Sequence, residues 1–513
     1  MGLNRAYAVT EVEGEPKEVW SNDEDEKVYS FDETINMEGN GWYGFSLLAV
    51  LSLVTLAMGM DMFGFSVVVA GASCDFHLDL QQTSVLLCMA FIGPIVMSYP
   101  WGYISDTQGR RKSLLISLWV SFVVSSISAF SPNWIVMAVM KFVSTSFSSC
   151  AQSTTYTLLG ESCPKRVRDG YMLIMTSILD FMLAIYIAIA YGILNMEFSH
   201  DLVFISFTPW RLLALVLGST LGLGALGVHF FYESPKFLLN AGKDDEALDV
   251  LKGIWGRNGG NVESFPVKKV YLNEEGNYTI NKDILLWKSL WEQVVPLFKL
   301  PLLWRSMQLY FLIAIIYGTS NAYFVWFPLL AQKFFEGINS GGGQETGLCN
   351  LIVSVYNNQT ESGGCSSKIE VNVVWSSLCQ GLLFVAILFG LSRIAHRKRT
   401  LTIVILFISC VCGLVAVLVP HNMFSFVMFF GQLTNELVIG IIYIYFVDLY
   451  PTSHRGMATC LGTMVARAGS LGGVNLFGAF IMSYCSYTFY VCSALMICGI
   501  LVSLLLPPDE RTK

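Results

Sequence analysis

The fold is decided by Glu161-Ser-Cys-Pro-Lys-Arg-Val-Arg168, which returns in the second half of the chain as Asp448-Leu-Tyr-Pro-Thr-Ser-His-Arg455. Each copy has an acid, a proline three residues later and an arginine seven residues later, and each stands between two long apolar segments. The chain therefore consists of two related halves. Repetition of this kind is common in secondary transporters, whose substrate site lies between the repeats near the bilayer midplane. Transport is the first hypothesis.

Composition places the chain in a membrane. Its 513 residues are 54% hydrophobic and only 13% charged, whereas a soluble domain has about 25% charged residues. A helix needs about 20 apolar residues to cross the hydrocarbon core. Twelve such segments are predicted: 43–70, 82–104, 112–130, 133–159, 171–195, 211–231, 306–330, 372–392, 400–419, 422–447, 458–483 and 486–506. The predicted fold is an all-α membrane protein with twelve transmembrane helices in two pseudo-symmetric six-helix halves.

These segments divide the chain into five parts. The first, residues 1–42, is an acidic tail with the composition of a disordered segment, since its first 40 residues hold eleven Asp and Glu against three Lys and Arg. The other parts are the first half at 43–231, a linker at 232–305, the second half at 306–506 with an outer loop at 331–371, and a short tail at 507–513.

The distribution of basic residues predicts the orientation. Connections on one side hold Arg110, Arg111 and Lys112, and later Lys165, Arg166 and Arg168, whereas the short connections on the other side hold no Lys or Arg. Cytosolic loops carry the excess of Lys and Arg. Both termini are therefore predicted to be cytosolic, in a multi-pass protein of the plasma membrane or a vesicle membrane.

The outer loop carries two further candidate features. Asn358-Gln-Thr360 is a glycosylation sequon on the predicted outer side. Cys349 and Cys365 lie in the same loop and are expected to close a disulfide there. A second sequon at Asn277 falls in the linker and is expected to stay unmodified.

One loop carries a family resemblance. The stretch Gly102-Tyr-Ile-Ser-Asp106-Thr-Gln-Gly109-Arg110-Arg111-Lys112 resembles the G-x-x-x-D-x-x-G-R-[RK]-[RK] loop of the major facilitator superfamily. Glycine permits a tight turn between helices, and arginines pair with acids at the ends of neighbouring helices. The second copy keeps Gly390 and a basic cluster but has Ile394 where the first has Asp106.

The resemblance implies a cytosolic gate. In this reading one charge network joins Asp106, Arg110, Glu161, Arg168, Asp448 and Arg455, with Gly102, Gly109 and Arg111 in the same loop. The stretch Tyr232-Glu-Ser-Pro-Lys236 is similar to the P-E-S-P-R mark of sugar porters and organic ion transporters. Phe31 to Gly39 and Ser320 to Pro328 resemble the branch of synaptic vesicle glycoprotein two and the organic ion transporters. The alternative for the basic loop is that it only fixes topology.

Five ionisable residues fall at membrane depth: Asp61, Lys141, Asp180, Glu436 and Arg467. Such residues cost about 2.5 to 3.5 kcal/mol on insertion scales and usually face a cavity or a partner. Glu436 and Arg467 both lie near mid-depth, so they are candidates for a buried pair, whereas Asp61 and Asp180 are candidates for lone acids. An ion pair would hold helices together; a lone acid would bind a cationic group or a coupling proton.

Polar and aromatic side chains extend the candidate cavity. Tyr317 and Asn321 lie on one predicted helical face, joined by Gln380 from the next segment. Such a mixture suits an amphipathic organic substrate, although core packing explains most aromatic stripes in a chain with 35 Phe and 22 Tyr.

The sequence therefore predicts a monomeric transporter of a small organic solute or ion, working by alternating access with or without coupling to protons. It predicts no enzyme, cofactor, metal or nucleic-acid partner, because no phosphate-binding loop, metal spacing or nucleophile motif is present. The rival hypothesis is a membrane glycoprotein that keeps the fold but acts in trafficking or regulation.

Overall fold

The computed structural model describes residues 7–8, 18–19, 28–37, 39–201, 206–272, 295–300, 302–339, 347–362, 368–392, 397–450, 452–481 and 483–507. Within these residues eleven helices are long and apolar enough to cross a membrane. A further helix, Thr452–Phe480, has 29 residues and completes the predicted set of twelve. The prediction of a twelve-helix membrane bundle is confirmed.

The first half contains six spanning helices: α1 Trp42–Phe76, α2 Leu80–Gln108, α3 Arg110–Ser128, α4 Trp134–Ser162, α5 Arg166–Leu194 and α6 Pro209–His229. The second half contains α7 Leu303–Asn339, α8 Val371–Ser392, α9 Lys398–Leu418, α10 Asn422–Leu449, α11 Thr452–Phe480 and α12 Cys485–Ser503. The helices α5 and α10, which carry the candidate acids Asp180 and Glu436, are irregular at mid-length. The regular helix of α5 is interrupted at Phe181, and α10 contains a 3-10 turn at Thr434–Leu437.

We name the two ends of the bundle by their connections. The terminal face carries Gly109, Pro164 and residues 230–234, together with the start of α1 and the end of α12. The far face carries the opposite ends of the helices, including residues 195–201 and 206–208 and the helix Leu348–Ser362.

Glycines let two helices of the second half cross in direct contact. A Cβ on Gly473 would lie 1.9 Å from the carbonyl oxygen of Gly318, and one on Gly469 would lie 2.5 Å from that of Ala314. No side chain fits between α7 and α11 at this crossing, as at the small-residue interfaces of other membrane helices. The contact fixes α11, and with it Arg467, against α7.

Part of the predicted acidic tail is folded. Strand Val28–Ser30 pairs in parallel with Lys269–Tyr271 of the linker, and the helix Phe31–Met37 packs on the linker helices Pro235–Asn240 and Asp244–Arg257. The reason is an apolar face, since Phe31 and Ile35 lie one turn apart and are buried. We call this unit the terminal-face domain.

The remaining short elements are strands Tyr7–Ala8 with Glu18–Val19, strands His200–Asp201 with Ser206–Phe207, and the 3-10 turns Val262–Ser264 and Val295–Phe298.

The predicted disulfide pairing is wrong. Cys349 bonds to Cys485, at the start of α12, rather than to Cys365. The bond ties the helix Leu348–Ser362 to the far end of the second half. Cys74 is also disulfide-bonded, and Cys365 lies outside the described residues. The side chain of Asn358 is likewise not described, so its glycosylation stays a prediction.

Candidate functional site

Two acids from opposite halves lie at the centre of the bundle. Asp180 stands directly before the interruption of α5, and Glu436 lies in the 3-10 turn of α10. Both are partly buried, and they are close enough for the charge of Asp180 to act on Glu436. Among the described residues neither carboxylate has a hydrogen bond or ion pair, and Oε2 of Glu436 is buried without a partner. Two acids without a partner in the described structure therefore lie near each other between the halves.

Tyrosines surround these acids. The hydroxyls of Tyr317 and Tyr443 lie 3.4 Å apart, and the charge of Glu436 acts on Tyr317. Tyr156, from the first half, lies within the electrostatic range of Asp180 and Tyr443. The site thus combines negative charge with aromatic rings contributed by both halves.

The predicted pair of Glu436 with Arg467 is wrong. The Arg467 guanidinium crosses to the first half, where Nη2 donates to Oε1 of Gln152 and Nη1 lies 3.4 Å from Sδ of Met62. Its Cζ lies 5.8 Å from the ring centre of Tyr317. The Nε of Arg467 is buried and has no partner among the described residues. Arg467 therefore bridges the halves and leaves Glu436 unneutralised.

The prediction of Asp61 as a lone acid is wrong, and a role of Asp61 and Lys141 in a substrate or proton cavity stays a prediction. Lys141 Nζ lies 2.7 Å from Oδ1 of Asp61, and both side chains are at most 5% exposed. Hydroxyls of Ser144 and Ser148 donate to Oδ2 at 3.4 Å. A cavity of about 20 Å³ adjoins the pair, which is enough for one water and too small for an organic substrate. The pair belongs to the core of the first half.

The two predicted amide residues differ. Asn321 is buried, and its Nδ2 donates to the Ser470 hydroxyl at 2.7 Å. It therefore holds α7 to α11. Gln380 on α8 is 2% exposed, yet neither its Nε2 nor its Oε1 has a partner in the described part of the chain. Gln380 stays a candidate for a substrate contact.

The terminal face carries a charge cluster within the first half. Arg110 Nε lies 3.1 Å from Glu161 Oε2, and Nη2 lies 3.1 Å from Asp106 Oδ1. Glu161 also accepts a hydrogen bond from the Ser234 hydroxyl. The predicted link of Arg110 with Asp106 and Glu161 is present, and it joins the ends of α2, α3, α4 and α6.

Glu233 binds the start of α3, a contact that its sequence motif did not indicate. Its carboxylate accepts hydrogen bonds from the backbone N–H of Arg111 at 2.8 Å and of Lys112 at 3.2 Å. These groups belong to the first turn of α3, where a negative charge is favoured. Nη2 of Arg111 donates to the carbonyl of His229 at 2.7 Å. The loop is thereby fastened to the end of α6.

The remaining gate residues are not connected to this cluster in the described structure. Nε of Arg168 is buried without a hydrogen-bond partner among the described residues. The side chains of Asp448 and Arg455 lie outside the described residues. A contribution of the second half to the gate stays a prediction.

Only one of the two loop glycines is required by its geometry. Gly109 has φ of +106°, and a Cβ there would lie 2.5 Å from Oε2 of Glu233. Gly102 lies inside α2 with no atom within 4 Å of a Cβ position, so it is not part of the turn as predicted.

We expect Gly109→Ala to lower stability by about 1 to 3 kcal/mol, because alanine is strained at this φ and would displace Glu233. The matched variant Gly102→Ala should be neutral or stabilising, by up to about 1 kcal/mol. Thermal unfolding of the purified proteins measures both. Equal melting temperatures for the two variants would contradict this account of the loop.

Two six-helix halves with a charged polar site between them at mid-depth are the arrangement of a secondary transporter. The family model of the Major Facilitator Superfamily matches residues 51–358. The chain belongs to the major facilitator superfamily.

Relatives fall in the branch that the sequence suggested. The chain is 22% identical to the synaptic vesicle 2-related protein of Rattus norvegicus, over 97% of this chain and 83% of that protein. It is 22% identical to the organic cation/carnitine transporter 7 of Arabidopsis thaliana, over 86% of this chain and 87% of that protein.

A solved structure shares the fold. The inward open conformation of the xylose transporter XylE from E. coli superposes with a TM-score of 0.62 at 14% identity, over 92% of this chain and 98% of that one.

Proposed function

We propose that this transporter carries a small organic cation, whose positive group binds between Asp180 and Glu436. The observation that supports this most strongly is the absence of a neutralising partner for either acid in the described structure. Charges at membrane depth are expensive unless they are paired, so a positive group between these two acids would be strongly stabilised there. A bound cation supplies it.

The surrounding rings suit the same ligand. Tyr156 lies within electrostatic range of Asp180, and Tyr317 lies within that of Glu436. Cations bind favourably over aromatic faces. The name of the Arabidopsis relative, an organic cation/carnitine transporter, supports this substrate class.

The same geometry supports alternating access. Each half contributes one acid, so separating the halves at either face would expose the site to that side. In the described part of the chain, the hydrogen bonds between the halves lie at mid-depth or toward the far face, as in the contact of Cys88 Sγ with the carbonyl of Leu471. With the terminal face in the cytosol, as the basic loops predict, these described bonds lie at mid-depth or toward the outer side.

A second candidate substrate is a zwitterion that also carries a carboxylate. The observation that favours it is the unpartnered Nε of Arg467 beside Tyr317. Guanidinium groups bind carboxylates through paired N–H donors. Coupling to protons is compatible with either substrate, since a proton on one acid would offset part of their repulsion.

Uptake into proteoliposomes by purified protein tests the substrate class. We expect a primary or quaternary organic ammonium ion to enter at least ten times faster than a hexose or a dicarboxylate. Similar uptake of a betaine would favour the zwitterion, and acceleration by an imposed pH gradient would show proton coupling. Transport of the hexose or the dicarboxylate, with the cations inert, would contradict the proposal.

A further inference from the structure

At the far face the two halves are joined by hydrogen bonds between a side chain and the backbone, rather than by packing of helices. Asn195 follows the last residue of α5, in the first half, and Ile369 precedes α8, in the second. Nδ2 of Asn195 donates to the carbonyl of Ile369 at 2.9 Å, and the Ile369 N–H donates back to Oδ1 at 3.2 Å. One amide side chain thus satisfies both backbone groups of a residue in the other half.

An ion pair lies beside this contact. Lys368 Nζ lies 2.5 Å from Oε1 of Glu197, with both side chains more than half exposed. The hydrogen bond from Lys368 and its positive charge lower the pKa of Glu197. Exposed pairs contribute little on their own, so the partly buried amide contact of Asn195 is the stronger of the two.

Residues 368–370 are also anchored to their own half. The N–H of Glu370 donates to Oε1 of Gln332 at 2.9 Å, and Nδ2 of Asn339 lies 3.0 Å from both carboxylate oxygens of Glu370. Residues 368–370 are therefore held to α7 by these hydrogen bonds. A movement of Asn195 relative to residues 368–370 is also a movement relative to α7.

We propose that Asn195 and Glu197, bound to residues 368–370, form a clamp that holds the far face closed and must release before the site opens to that side. Opening at the far face moves the end of α5 away from α7 and α8. Every one of these inter-half bonds breaks in that motion, whereas the anchors of Glu370 within the second half are kept.

The position of the clamp agrees with this role. A cavity of about 230 Å³ lies at the same edge, lined by Asp75 and Trp210 of the first half together with Glu197 and Lys368. Asp75 accepts hydrogen bonds from Trp210 at 2.6 Å and Thr208 at 2.9 Å, so these residues of the first half are linked to one another. The ion pair lines this cavity at the boundary of the two halves.

Cys88 provides a native reporter of opening. It is 3% exposed, and its Sγ lies 3.9 Å from the carbonyl of Leu471 across the inter-half boundary. Separation of the halves at the far face would expose it to a maleimide reagent. Reaction at Cys88 can be measured on the purified full-length protein by peptide mass spectrometry, with Cys88→Ser as the blank.

We expect Asn195→Ala to raise the labelling rate of Cys88 roughly five- to tenfold, the shift that loss of two hydrogen bonds produces. Lys368→Met should raise it about twofold or less. Lys243→Ala, which removes an exposed ion pair with Glu246 on the terminal-face domain, is the matched control and should change nothing. Wild-type labelling in Asn195→Ala would overturn the proposal.

A cross-link gives an independent test that does not depend on the folding of the alanine variant. The double variant Asn195→Cys with Ile369→Cys, oxidised after purification, should lose transport and regain it with reductant, while reductant leaves the wild type unchanged. Full transport with the cross-link in place would overturn the clamp. Cys88 labelling needs no substrate, so it remains valid if the substrate assignment fails.

Discussion

Asp180→Asn and Glu436→Gln should each reduce uptake roughly a hundredfold while leaving the melting temperature unchanged or raised. The expected loss corresponds to removing one charged contact to a desolvated ligand, which costs about 2 to 5 kcal/mol. Folding should not suffer, because neither acid has a partner in the described structure that its removal would leave unpaired. Initial uptake rates and thermal unfolding of the same preparations measure the two effects.

The exposed Glu246→Gln is the control for this experiment, since its carboxylate pairs only with the exposed Lys243 in the described structure. It should behave as the wild type in both assays. Undiminished uptake in Asp180→Asn and Glu436→Gln would remove the proposed cation site, and a fall in melting temperature would show that the acids have structural partners.

Asp61→Asn should destabilise the protein by about 3 to 5 kcal/mol, because it leaves the Lys141 ammonium buried without its counter-charge. The double variant Asp61→Asn with Lys141→Met should recover most of this loss, since it removes both charges. Urea or thermal unfolding of the purified proteins measures the free energy. A single variant as stable as the wild type would show that water or another group compensates Lys141.

The sequence predicted the bundle well because membrane insertion depends on local composition. The twelve apolar segments and the loop around Gly109 are each visible in a short window, and the link of Arg110 to Glu161 was implied by the resemblance of that loop to the superfamily's. Glu233 was visible in its motif as well. Its contact with the first turn of α3 needed the three-dimensional position of α6.

The partners of the buried charged residues could not be predicted from short stretches of sequence. Depth along a helix follows from residue number, but the direction in which a side chain points depends on rotation about the helix axis. Glu436 lies in a 3-10 turn that contains neither glycine nor proline, so no sequence signal marked the changed direction. Arg467 accordingly faces Gln152 in the other half. Asp61 met Lys141 because α1 and α4 pack side by side.

The prediction of the disulfide pairing was wrong for a related reason. Cys365 is the nearest cysteine to Cys349 in the outer loop, and proximity in sequence suggested that pairing. The observed partner, Cys485, is 136 residues away and reaches Cys349 only because the start of α12 lies at the far face.

The terminal-face domain is attached to the first half. Asn40 accepts a hydrogen bond from the Tyr171 hydroxyl at 2.7 Å, Asn258 accepts one from the Tyr43 N–H at 3.1 Å, and Arg257 lies over the Tyr232 ring at 4.4 Å. All three contacts connect the domain to α1, α5 and the end of α6. The terminal-face domain therefore moves together with the first half. A fluorophore on it, paired with another at the start of α9, would report each rocking cycle as a change in distance without touching the substrate pathway.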